Sequence, residues 1–398
     1  MPPRETADTA DLFTPAPLPV AALDDRGRLA CLRLIRSENV GPTTFRQLIN
    51  HYGGAEAALE ALPGIARRAG RGRPLKICPV AAAEAELEAA QRAGAIPLFT
   101  IEPGYPASLA AIEAPPPLLY VRGALTVLLR DMVAVVGSRQ CSANGITMAQ
   151  IMARGIGEAG YAVVSGLARG IDGAAHRTAL ATGTVAVLAG GIDHVYPPEN
   201  RDLFSMIPAE GGAIMTELWP GYQPRAQDFP RRNRIISGMA RGVVVVEAAK
   251  RSGGLVTARF AGEQGREVFA VPGHPLDSRA EGTNYLIRQG ATLVTGPEDV
   301  LEELGPITGR RQLRGEEPSR PAPAAPRDGL AHIPAGVETS GDESRDAVLA
   351  ALGAAPVNAD VLVRVTGLPA RAVQIALMEL DLAGVIERHG GQLVSRRA

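Results

Sequence analysis

Lysine is almost missing from this sequence: only Lys76 and Lys250 occur, so nearly all basic charge is arginine. Codon bias is sufficient explanation, yet one consequence follows. Neither lysine follows a glycine, so no G-K-[ST] phosphate loop can form. Cysteine is as scarce. Cys31, Cys78 and Cys141 make no C-x-x-C pair and are odd in number. That argues against a disulfide framework or zinc ribbon and fits a reducing cytosol. No apolar run reaches the roughly 18 residues of a membrane-spanning helix. His51, His176, His194, His274, His332 and His389 form neither H-E-x-x-H nor a close pair, so no metal site is expected. A G-x-S-x-G nucleophile elbow is absent. Aromatic residues make up only 4% of the chain.

What is present is a large core. The chain has 398 residues, 46% hydrophobic and 21% charged, which suggests two to four globular domains at roughly 100–200 residues each. The net charge of −1 means that any polyanion site must arise from local clustering. Residues 1–24 begin with Asp8, Asp11 and several prolines and have no apolar segment, and read as a disordered tail rather than a signal peptide. Residues 25–92 read as a small helical domain resembling a SAM or helix-hairpin-helix module, with helices over 28–38, 43–52 and 55–62. The Val40-Gly41-Pro42 break fits a plain helical bundle first, and alternatively a hairpin that offers backbone N–H groups to a phosphate.

Residues 93–305 alternate strands and helices. Short apolar runs at 132–136, 161–164, 184–189, 213–217, 243–247, 267–271 and 291–295 are separated by helical patterns such as 143–159 and 255–264, and 95–101 and 118–121 add strands at one edge. Continuous apolar strands between helices indicate a parallel sheet covered on both faces. The fold class is therefore α/β: a Rossmann-like, doubly wound, mostly parallel sheet. Residues 306–341, rich in Pro, Arg, Gly and Glu, read as a disordered linker. Residues 342–398 read as a winged helix, with helices over 345–352, 358–365 and 370–383 and a hairpin around Gly390-Gly391. Its six arginines meet seven acidic residues, and the recognition helix has only Arg371 as a cation. That favours a protein-interaction module over a duplex reader.

Ligands of open parallel sheets bind beyond the carboxyl ends of the strands. There the sequence places Gly137-Ser138-Arg139, then Ser165-Gly166-Leu167-Ala168-Arg169-Gly170, then Gly190-Gly191. A long loop after Leu218 runs to Phe229-Pro230-Arg231-Arg232-Asn233-Arg234, and Lys250-Arg251-Ser252-Gly253-Gly254 closes the set. Glycine admits a phosphate to the backbone, hydroxyls donate, and arginine neutralises charge. From Arg225 to Arg251 seven basic residues face two acidic ones, a local excess suited to a polyanion. Gly155-Ile156-Gly157-Glu158-Ala159-Gly160 matches the dinucleotide pattern only as a string: it ends a helix and precedes a strand, the reverse of what a dinucleotide site needs. Asp172, Asp193 and Glu247 lie near strand ends, where carboxylates more often cap helices or orient arginines than catalyse.

Val135-Val136-Gly137-Ser138-Arg139, Val164-Ser165-Gly166-Leu167-Ala168-Arg169-Gly170-Ile171-Asp172, Gly190-Gly191 with Tyr196-Pro197, Arg232-Asn233-Arg234-Ile235-Ile236, Val246-Glu247-Ala248 with Ser252-Gly253, and Val271-Pro272-Gly273 follow in that order. Together they closely resemble the DNA-processing protein A (DprA/Smf) family over about 95–305. The resemblance implies a cytoplasmic, dimeric, single-stranded DNA-binding protein. It would protect DNA taken up in natural transformation and deliver the RecA recombinase to it, without catalytic residues, cofactor or membrane. By motif position Gly137, Ser138 and Arg139 would hold a phosphate, and Ser165, Gly166, Arg169 and Gly170 would shape the second loop. Arg232, Asn233, Arg234, Lys250, Ser252 and Gly253 would line the groove. Leu255 stands where some members offer an aromatic, so arginines are expected to dominate affinity and salt dependence to be steep.

Two rivals share the sheet. A nucleoside-monophosphate phosphoribohydrolase-like enzyme would need a Pro-Gly-Gly-x-Gly-Thr loop, but the sequence reads Arg251-Ser252-Gly253-Gly254-Leu255-Val256-Thr257. A nucleotide-sensing regulator with the winged helix as output would answer to a small nucleotide, without dependence on strand length.

Overall fold

The computed structural model describes residues 22–68, 74–305, 341–353, 355–389 and 392–397. The expected disordered linker, and all but the last residues of the expected tail, lie outside them. The chain opens with α1 (Asp25–Ile35), α2 (Pro42–Tyr52), α3 (Ala55–Arg68) and α4 (Val80–Arg92). Asp24 starts α1 by accepting from the Gly27 amide at 2.7 Å, as an N-cap should. Pro42 at the head of α2 has no N–H to waste, and Gly53 ends that helix in the left-handed conformation, φ 76°. The α4 helix is Ala-rich, so sequence periodicity gave no sign of it.

A nine-stranded sheet follows: β1 (Ile96–Phe99), β2 (Leu118–Gly123), β3 (Met132–Val136), β4 (Ala162–Ser165), β5 (Thr184–Val187), β6 (Ala213–Thr216), β7 (Gly242–Val245), β8 (Glu267–Ala270) and β9 (Thr292–Leu293). Their order is β1-β2-β6-β5-β4-β3-β7-β8-β9. From β6 to β9 across the sheet all neighbours are parallel, while β1 and β2 are antiparallel additions on the β6 edge. The chain steps outward from β3 through β4, β5 and β6, then restarts at β7 on the other side of β3. This is the Rossmann-like doubly wound sheet, and its switch point lies between β3 and β7.

Strand β3 shows why the strands read as unbroken apolar runs. Met132, Ala134 and Val136 pack on one face with α9 (Asp228–Met239) and α10 (Gly253–Glu263). Val133 and Val135 pack on the other with α6 (Ala143–Glu158), α7 (Ile171–Ala179) and α12 (Pro297–Leu304). Alternate side chains thus bury in two different cores, and α5 (Ala107–Ala110), α8 (Arg201–Ala209) and α11 (Glu281–Arg288) complete the helices around the sheet. The string 155–160 ends α6 as expected. Its glycines also let neighbours approach: a Cβ on Gly155 would sit 2.4 Å from Pro297 Cγ.

The N-terminal helices share a third core with Phe99, Tyr120, Leu188 and Ile207 of the sheet region. An ionic knot ties them down: Arg36 donates to Glu86 at 2.7 Å, and the Tyr120 hydroxyl donates to the same carboxylate at 2.5 Å. The C-terminal unit is a winged helix: α13 (Gly341–Ala351), β10 (Val357–Asn358), α14 (Ala359–Thr366), α15 (Ala370–Leu382), β11 (Ile386–His389) and β12 (Leu393–Arg396). Its recognition helix α15 lies against α2 and α3 of the same chain, with Met378 and Leu382 in the N-terminal core. Thr44 donates to Asp381 at 2.6 Å and Asn39 to the Leu382 carbonyl at 2.9 Å. The Gly41-Pro42 hairpin therefore looks into a groove shared with the winged helix.

Candidate nucleic-acid interface

A cavity of about 1100 Å³ opens at the carboxyl ends of the strands, over the switch point. Gly137, Ser138 and Arg139 form one wall, and Ser252, Gly253 and Gly254 at the head of α10 form another. Gly137 must be glycine here, because a Cβ would meet Ile171 Cγ1 at 2.7 Å and the Glu247 carbonyl at 3.0 Å. Ser138 turns the loop by accepting from the Gln140 amide at 3.1 Å. Gly170 has φ +74°, and a Cβ on it would come within 2.3 Å of the Ser138 carbonyl, so the second loop supports the first directly.

The two helix N-termini at the switch point differ. Glu247 sits over the start of α6, where it accepts from the Ser142 amide at 2.9 Å and the Ser142 hydroxyl at 2.5 Å. A carboxylate already satisfies that positive end. Among the described residues no carboxylate caps the head of α10 in this way. Ser252 caps it by accepting from the Gly254 amide at 3.3 Å, Gly253 is exposed, and both line the cavity. An anion thus finds α10 open and α6 taken.

The arginines divide by task. Arg139, Arg169 and Arg251 are exposed and line the cavity. Arg139 lies over the Phe229 ring at 5.1 Å, and Arg169 reaches Glu199 at 3.3 Å. The two arginines expected to line the groove, Arg232 and Arg234, take different places: Arg232 is among the cavity's lining residues and Arg234 is not. Residues 228–234 belong to α9, not to a loop, so Arg232 and Arg234, two residues apart, point about 160° apart. Arg232 is buried in the floor. It donates to the Gly166 carbonyl at 2.7 Å and to the Val187 carbonyl, which joins the ends of β4 and β5. Burial lowers its pKa to about 10, with Asp172 opposing that shift. Arg234 points away, to Glu217 and to the Ala114 carbonyl at 2.8 Å, and is not among the cavity's lining residues.

The remaining sequence candidates sort as follows. Asn233 lines the cavity and donates to the Gly253 carbonyl at 3.2 Å. Ser165 is buried and donates to the Val135 carbonyl at 2.6 Å, a structural contact between strands. Gly166 abuts Arg232: a Cβ there would lie 2.6 Å from the guanidinium. Lys250 is exposed beside the lining residues Ala249 and Arg251. Arg251, counted in the sequence's basic cluster but not among the groove residues that the resemblance implies, lines the cavity, and so does an aromatic wall of Tyr196 and Phe229 to which the sequence assigned no role.

The carboxylates have structural partners. Asp172 accepts from the Gly166 and Ala168 amides at 3.2 and 3.4 Å, and its burial pushes its pKa up. Asp193 accepts from the Gly221 amide at 2.8 Å. Among the described residues no group of His, Cys, Asp and Glu could hold a metal ion.

Comparison with known proteins places this architecture. Residues 97–305 match the model of DNA recombination-mediator protein A. Residues 25–89 match a DprA-like N-terminal HHH domain, and residues 318–392 a DprA winged helix domain. Protein Smf of Escherichia coli is 40% identical over 305 residues, covering 74% of this chain and 76% of that protein. DNA processing protein DprA of Streptococcus pneumoniae is 46% identical over 210 residues, 52% of this chain and 74% of that protein. The X-ray structure of DNA processing protein A from S. pneumoniae superposes with a TM-score of 0.58 at 36% identity, covering 69% of this chain and 95% of that one.

Proposed function

The chain belongs to the DNA recombination-mediator protein A (DprA/Smf) family, and from that premise we propose that it binds single-stranded DNA in the cavity at the switch point. It would shield incoming DNA in transformation and load RecA onto it, as a cytoplasmic dimer. The carrying observation is the open head of α10 facing Gly137-Ser138-Arg139 across one cavity, with Arg139, Arg251 and the Glu199-paired Arg169 exposed along its lining. A single strand fits better than a duplex because the arginines sit within a concave site beside aromatic rings, not on a convex helix aimed at a groove. The chain acts as a binding protein rather than an enzyme in this reading, since Asp172, Asp193 and Glu247 each hold backbone or capping groups.

Fluorescence anisotropy of labelled oligo-dT against an equal-length duplex, at two salt concentrations, tests the reading. Wild type should prefer the single strand, with affinity falling as salt rises. Arg139→Ala should weaken binding about tenfold and reduce the log–log salt slope by about 0.7 if one phosphate contact is lost. Duplex preference that survives the mutation, or a flat salt titration, would overturn the reading. Saturation by a small nucleotide alone would favour the nucleotide-binding rivals.

A further inference from the structure

Seven tyrosines, seven phenylalanines and one tryptophan are all the aromatics this chain has, yet four of them lie close together: Tyr196 and Phe229 line the cavity, and Trp219 and Tyr222 sit on the loop whose next residues, Gln223 and Pro224, line it. Tyr196 follows β5; Trp219 and Tyr222 lie on the loop from β6 into α9, and Phe229 stands in the first turn of α9. They form two pairs. Tyr196 and Phe229 are 5.5 Å apart at 59°, and Trp219 and Tyr222 are 4.7 Å apart at 75°. Tyr196 is 44% exposed and Trp219 43%, a large apolar surface to leave in water without a use. Each pair carries a cation: Arg139 lies 5.1 Å over Phe229, and Arg36 lies 5.4 Å over Trp219.

The loop is braced. Gly191 donates to the Tyr222 carbonyl at 2.8 Å, and Tyr222 donates to Asp228 at 2.9 Å. A Cβ on Gly191 would meet the Trp219 carbonyl at 2.7 Å, so Gly190-Gly191 is the flat bed on which the loop lies. One end of this surface is the exposed Arg139 in the cavity; the other is Trp219 beneath Arg36, which caps α1 of the N-terminal domain and is held by Glu86. Gln223, Pro224 and Ala226 continue the cavity wall between them. A mononucleotide would need one end only. A strand of alternating phosphates and flat bases matches both.

We propose that the 219–229 segment, with Tyr196, is a base-stacking platform that carries a single strand from the cavity toward the N-terminal helical domain. The proposal rests on the single-stranded DNA reading above and gives that strand a path. It also amends the expectation that arginines dominate affinity: few rings occur, but they are concentrated where bases would pass.

Trp219 is the only tryptophan, so its emission reports on one end of the platform without a label. In the full chain, unlabelled oligo-dT is titrated while Trp219 emission is followed, beside anisotropy of a labelled strand. Emission should quench over the same concentration range in which anisotropy rises. Trp219→Leu and Tyr196→Leu should each weaken binding about tenfold, and Trp219→Phe should restore most of it. Rising anisotropy with unchanged emission would overturn the platform and leave strand binding in the cavity standing. So would loss of affinity in Trp219→Leu while wild-type emission stays silent, because the effect would then be structural. No rise in anisotropy at all would remove the single-strand reading itself, and the platform with it.

Discussion

Arg139 and Arg232 share a chemistry and differ in what surrounds them. Arg139 is solvent-facing, whereas Arg232 fixes the ends of β4 and β5 through two carbonyls and neighbours the buried Asp172. Removing a buried cation strands both the carbonyls and the carboxylate, a loss of about 3 kcal/mol or more. Arg232→Ala should therefore lower the urea midpoint sharply, while Arg139→Ala leaves it unchanged and reduces DNA binding. Equal stability in both variants would show that Arg232 does not hold the strand ends. His176 offers a second residue-scale test. It is fully buried on α7 beside Thr184 Oγ1 at 2.7 Å, and burial pushes its pKa down to about 3. The unfolded chain takes up that proton near pH 6.5, whereas the folded chain refuses it until about pH 3. The unfolded state thus binds more protons across this window, and stability is lost as pH falls through it. Between pH 7 and 5.5 the loss should be about 1 kcal/mol from this group. His51 shifts in the same direction, so the comparison is with His176→Gln, whose stability should depend less on pH. An identical dependence in the variant would assign the effect elsewhere.

The elements differ in how openly the sequence announces them. Strands β3 and β7 stand out because both faces are buried and every position is apolar, and the glycines that follow mark the carboxyl edge. Those two signals were enough to place the loops at 137–139 and 252–254 on one site. Helix α9 was hidden by its own composition. Pro230 and the run Arg231-Arg232-Asn233-Arg234 look like loop, yet a proline in a helix's first turn forfeits no intrahelical bond. Once the segment is helical, a run that looked like one basic strip divides: Arg232 enters the floor of the cavity, while Arg231 and Arg234 share Glu217 on another side. The plugged N-terminus of α6 was also illegible, since Glu247 lies 105 residues from Ser142. The reliance of the first loop on the second can be tested at Gly170. Alanine there would need φ +74° and would press its Cβ against the Ser138 carbonyl. The left-handed backbone alone costs about 1 kcal/mol, and relief of the clash must displace the Ser138-Arg139 turn. Gly170→Ala should lower the melting temperature and weaken oligo-dT binding together. Reduced stability with full binding would mean that the first loop keeps its shape alone.

For the whole molecule, the largest feature with no local signature is the docking of the winged helix onto the N-terminal helices. Its contacts join residues 39–47 to residues 374–388, and each side reads locally as an ordinary amphipathic helix. The sequence did show that α15 is poor in cations, and the structure explains what its other side chains do: Met378 is 2% exposed and Leu382 0%, both within the N-terminal core. Thr44, Gln47 and Asn39 add directed bonds to Asp381, Gln374 and the Leu382 carbonyl. In this arrangement the recognition helix has one face on its own chain and is not free to enter a major groove. Burying a carboxylate in place of Met378 would place a charge against Leu and Phe side chains, which docking cannot tolerate without losing several kcal/mol. Met378→Asp should therefore release the winged helix. Small-angle scattering should show a larger radius of gyration, and amide exchange should quicken in α2 and α3 while the central strands β3, β4 and β7 stay protected. If the variant stays as compact as wild type and α2 exchanges no faster, the apolar contact is not what holds the two ends of the chain together, and the polar bonds to Asp381 and Gln374 must carry the docking.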